Sequence, residues 1–188
     1  MRHQVYSLGA ARLITILALA FALPASGYGP HTIPATKYVR PGDQVILNQD
    51  IDVGGGSRIY IQHGKTADNK SLQHREPYCY FHVYRDSSLV ATPLSVAADR
   101  FQINKTGRGV EYSMDATPGY LMAGFGFFNQ DASAQNLMIR FALSSESQPE
   151  VRWLKCGVFA VLNERNFLTI EEIREVLGDL VTLEPAGQ

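Results

Sequence analysis

Cysteine is scarce in this chain: Cys79 and Cys156 are the only two in 188 residues, and no C-x-x-C pair exists. That removes the usual basis for a redox-active dithiol. Charge of one sign is equally thin. With 17 basic against 18 acidic residues and no basic run, nothing electrostatic draws the chain to nucleic acid or to an anionic membrane. No apolar run approaches the ~20 residues a membrane span requires. The sequence also lacks G-x-S-x-G, H-E-x-x-H and a G-K-[ST] phosphate loop. His31, His63, His74 and His82 are scattered, with no pair at i, i+2 or i, i+4 to start a metal site. No catalytic, cofactor-binding or metal-ligating residue is therefore nominated, and no cofactor is expected.

What the N-terminus does have is Arg2 and Arg12, an apolar run over 13–23, and then Pro24, Ala25, Ser26 and Gly27. A basic start, a short apolar centre and a small-residue exit describe a secretory signal peptide, here residues 1–27, with Tyr28 as the first mature residue. The expected location is periplasmic or extracellular, and the chain is not expected to be an integral membrane protein. No cysteine follows the apolar run, so a lipid anchor on a new N-terminal cysteine is not available. Residues 28–43, with three prolines, read as an extended N-terminal segment, and 44–188 as a single β-rich domain.

Export changes what two cysteines mean. In an oxidising compartment an even pair is most simply one disulfide, Cys79 to Cys156. Each lies in an alternating stretch. In EPYCYFHVYRD (76–86), period two puts Cys79, Phe81 and Val83 on one face and Tyr78, Tyr80, His82 and Tyr84 on the other. In VRWLKCGVF (151–159), Leu154, Cys156 and Val158 share a face, with Val151 and Trp153 opposite.

Further strands are expected at 44–53 and 57–64, forming a hairpin around the glycines at 54–56. Others are expected at 100–105, at 110–114 beyond a turn at 107–109, at 119–128 and at 135–144, with Leu137, Ile139, Phe141 and Leu143 inward; the polar stretch 65–75 reads as a loop. Seven or eight short strands with turns between them imply a mainly β fold, an antiparallel β-sandwich or barrel-like domain. One short C-terminal helix follows. Thr169 and Glu172 form a capping box, Gly178 stops the helix, and Ile170, Ile173, Val176 and Leu177 make its apolar stripe.

Gly42, Val45-x-Leu47, Ile51-x-Val53, Arg58-Ile59-Tyr60-x-Gln62-x-Gly64, Glu76-Pro77-Tyr78-Cys79-x-Phe81 and Asp99-Arg100-Phe101 carry a resemblance. Over about a third of its length the chain resembles a group of uncharacterised exported proteobacterial proteins. The resemblance implies export and a small β-rich fold, and it brings no catalytic residue with it.

These features lead to an exported, non-enzymatic cell-envelope domain that binds an envelope protein or glycan. Tyr80, His82, Tyr84 and Trp153 form the expected partner surface, because tyrosine and tryptophan give contact area at low entropic cost. The alternative is a periplasmic hydrolase or glycan-binding enzyme built on acids near strand ends, such as Asp50, Asp52, Glu76 and Asp86. Two carboxylates at the right separation would serve that chemistry.

Overall fold

The computed structural model describes residues 33–186, apart from 54, 74, 90, 113–134 and 161–165. Its strands are β1 Gln44–Leu47, β2 Ile51–Val53, β3 Arg58–Gln62, β4 Lys65–Ala67, β5 Tyr78–Val83, β6 Leu94–Val96, β7 Asp99–Tyr112, β8 Gln135–Ser144, β9 Val151–Ala160 and β10 Val181–Glu184. One α-helix, α1 Ile170–Leu177, precedes β10. Eight strands make an antiparallel sheet in the order β10-β1-β7-β8-β9-β5-β3-β4, while β2 pairs with β6 in a separate ribbon. The fold is mainly β, and the large sheet curls into a half-barrel.

Alternation puts the apolar residues of each central strand on one face, and register aligns them across strands. Ile61, Cys79, Cys156 and Ile139 form one row across four strands. Ile59, Phe81, Leu154 and Phe141 form the next, and all eight are fully buried. Each of the six Ile, Leu and Phe side chains among them contributes about 1.5 to 3 kcal/mol by leaving water.

The helix closes this core. Thr169 Oγ1 accepts from the Glu172 backbone N–H and Glu172 accepts from the Thr169 N–H, so the expected capping box is formed. Eight residues are too few to be stable alone. Burial of Ile170, Ile173, Val176 and Leu177 against the sheet holds them in place. The helix touches β3 and β5 and also β10 at the far edge. One short helix reaches both only because the sheet curls around it. At its end Gly178 (φ 53°) meets Gly64 (φ 70°), whose N–H donates to the Val176 carbonyl, so the β3–β4 turn docks on the helix C-terminus.

Several expectations are corrected. The glycines at 54–56 do not close a hairpin: β2 pairs with β6 and β3 with β4 and β5, so the strands on either side enter different sheets. The expected strand over 44–53 is accordingly two. Lys65–Ala67 is a strand rather than loop. No turn forms at 107–109, because β7 runs through both glycines as one strand. Val151 is on the core face, not opposite it: a register shift between His82 and Val83 moves the end of β9 by one residue. The segment expected as an extended arm contributes Ala35 and Val39 to the core. The expected signal peptide, 1–27, and the apolar stretch 119–128 lie outside the described residues.

Candidate functional site

The face of the sheet turned away from the core is built from the alternate positions. The strand register lays them out in transverse rows. Gly107, Arg140, Lys155, Tyr80 and Tyr60 make one row across β7, β8, β9, β5 and β3. Beside it run Lys105, Ala142, Trp153, His82 and Arg58 on one side, and Gly109, Met138, Gly157 and Tyr78 on the other. Glu111 and Asn136 face each other one row further on.

Arg140 and Lys155 are direct cross-strand neighbours, a like-charge placement that works against the sheet. Glu111 offsets it. Lys155 Nζ donates to Glu111 Oε1 at 2.9 Å, Arg140 Nη2 lies 3.3 Å from the same oxygen, and Tyr80 Oη donates to Glu111 Oε2 at 3.2 Å. All three ion-pair side chains are half-buried or more. Arg58 completes the group: it donates to Tyr60 Oη, and its guanidinium lies 5.2 Å from the Tyr80 ring centre, with Lys155 Nζ at 5.6 Å. Three cations thus gather around one carboxylate.

The electrostatics follow. Desolvation works to raise the Glu111 pKa, but the hydrogen bond and charge of Lys155, together with Arg140 and Tyr80, outweigh it and hold the carboxylate below its ordinary range. Burial above all, and then Glu111, push the Tyr80 hydroxyl upward. Burial, then Lys155 and Arg58, push the His82 imidazole down. Glu111 is consequently ionised, Tyr80 is a hydrogen-bond donor and His82 is neutral near pH 7.

The four residues expected to form a partner surface are placed differently from one another. Trp153 stands opposite His82 on the outer face, and both are half-buried. Tyr84 lies just past β5 and is 71 % exposed. Tyr80 is 2 % exposed and is not free to meet a partner. It sits in a second, smaller core with Leu72, Tyr78 and Met138, against Tyr60. Gln62 helps to form that cover: it donates to the Gln73 and Pro77 carbonyls and accepts from Gln73 N–H, pinning the 68–77 loop. Met138 fits because Gly157 opposite it has no side chain.

The acids near strand ends do local work. Asp50 accepts from Ala98 N–H, Asp86 accepts from Ser88, and Glu76 pairs with His63 at 2.8 Å on an exposed turn; Asp52 is exposed. Among the described residues no three His, Cys, Asp or Glu side chains are grouped to hold a metal ion, and no helix is long and apolar enough to cross a membrane. Cys79 and Cys156 are directly paired and disulfide-bonded.

Comparisons with protein-family models, with curated proteins and with solved structures find no match. The cation group was not foreseen from the sequence because Arg58, Glu111, Arg140 and Lys155 sit on four different strands. The only local sign is that Arg140 and Lys155 interrupt apolar strands.

Proposed function

We propose that this chain is an exported cell-envelope β-domain that binds a glycan on the outer face of the half-barrel without turning it over. One observation carries the reading. His82 Nδ1, Asn136 Oδ1 and Arg140 Nε, the buried side-chain polar atoms without a hydrogen-bond partner among the described residues, all lie on this face. Leaving each unmet costs about 1 to 3 kcal/mol. A ligand that supplies the missing partners relieves those penalties as it binds. A sugar suits the mixture, since its hydroxyls both donate and accept while its apolar ring face packs on Trp153 and Tyr60. Binding is favoured over cleavage because the cluster offers one carboxylate, held ionised, where glycoside hydrolysis needs two.

Titration of the mature protein with envelope-derived oligosaccharides tests this, with Trp153→Ala expected to weaken binding and leave the melting temperature nearly unchanged. Absence of binding to any of them defeats the proposal. Export is tested separately by mass spectrometry of the cell-envelope form, expected to start near Tyr28. An intact N-terminus in the membrane fraction contradicts it.

A further inference from the structure

Resting on that reading, we infer that the glycan is acidic and that its anionic group seats on the Nε/Nη2 edge of Arg140, in competition with Glu111. The two nitrogens on that edge of a guanidinium point their hydrogens the same way, forming the fork that a carboxylate or phosphate takes with two oxygens. Among the described residues the fork of Arg140 is unfilled: Nη2 makes the 3.3 Å ion pair with Glu111, and Nε is buried with no hydrogen-bond partner. The Glu111 carboxylate is committed instead to Lys155 and Tyr80, which donate one hydrogen bond to each of its oxygens. It balances charge without satisfying the arginine.

Gly107 stands directly opposite Arg140, and among the described residues nothing lies within 4 Å of a Cβ added there, so the face is open at that position. Gly109 lets the guanidinium lie flat on β7, since a Cβ there would fall 2.6 Å from Nη2. With Arg58, Arg140 and Lys155 against Glu111, the cluster keeps a positive excess that an anion neutralises. Asn136, buried with an unmet acceptor, calls for a donor as well. A bare anion cannot provide one, whereas the hydroxyls of an acidic sugar can.

The test is calorimetric titration of the wild-type mature protein with three oligosaccharides of equal length: an oligogalacturonate, its neutral methyl ester and a phosphorylated oligosaccharide. An anionic form is expected to bind about ten- to a hundredfold more tightly than the neutral one, as a hydrogen bond to a charged group predicts. Comparing the two anionic arms tells a carboxylate site from a phosphate site. Arg140→Gln should erase the preference, whereas Glu111→Gln should strengthen anion binding several-fold. Gly107→Val, which adds bulk directly opposite Arg140, should weaken anion binding even if the Arg140 variant misfolds. Equal binding of acidic and neutral forms overturns the inference and leaves the glycan reading standing. So does a preference that survives both Arg140→Gln and Gly107→Val. Failure of every glycan to bind overturns both readings.

Discussion

Cys79 and Cys156 face each other across the β5–β9 ladder, with their Cα atoms 4.0 Å apart and their sulfurs bonded in the centre of the core. The bond joins residues 77 apart in sequence. Chain-entropy reasoning puts its contribution at about 4 to 5 kcal/mol, a large part of a domain's usual ~5 to 15 kcal/mol. Reduction, or the pair Cys79→Ala and Cys156→Ala, is therefore expected to lower the melting temperature sharply. Free thiols in the untreated protein, or a melting temperature indifferent to reductant, would contradict this.

Tyr80 and Tyr84 separate core from surface within one strand end. Tyr80→Ala opens a void in the minor core and removes a donor from Glu111, for an expected loss of about 3 kcal/mol or more. Tyr84→Ala should stay within about 0.5 kcal/mol, because that side chain is exposed. Denaturant unfolding of each variant gives the comparison. Similar losses at the two sites would be incompatible with the burial described.

Glycines on the outer face should respond unequally to alanine. At Gly157 the new Cβ would fall 2.2 Å from Met138 Sδ and 2.7 Å from the Leu137 carbonyl oxygen. The sulfur can move but the backbone cannot, so overpacking of about 1 to 3 kcal/mol is expected. Gly107→Ala meets nothing and should be close to neutral. Thermal melts of the two single variants suffice, and equal effects would argue against this packing.

His82 and Asp99 are two of the groups that shape the acid side of the stability curve. His82 is kept neutral by burial first and then by Lys155 and Arg58, with Glu111 opposing. The unfolded chain therefore holds the extra proton in the window between the lowered folded pKa and 6.5, so stability falls as the pH drops below 6.5. His82→Gln should flatten that part of the curve. For Asp99, desolvation works upward, but hydrogen bonds from Ser145, Ser147, the Arg100 backbone and Gln148 win and bring its pKa to about 2. Its contribution is present above the ordinary 3.8 and is lost as the pH falls through about 2. Asp99→Asn should remove only this lower step, as read from urea unfolding across pH. Unaltered profiles in both variants would refute the assignments.

The sequence by itself determined most of the core-facing side of the central strands and where the helix stands. Period two assigns Cys79, Phe81 and Val83 to one face because successive strand side chains must point opposite ways, and the Thr169–Glu172 box satisfies orphan amides of its own turn. These are local rules, and they were legible. Pairing decided the rest. Nothing near Gly54 tells that β2 leaves for β6, and the glycines at 107 and 109 read as a turn until Arg140 from the neighbouring strand is seen to need the space over Gly109. The same holds for Val151, which a register shift carries to the core, and for Tyr80, which Leu72 and Met138 enclose. The cation cluster is the extreme case: Arg58, Glu111, Arg140 and Lys155 become neighbours through strand register alone, and register is fixed by burying the opposite face of the sheet.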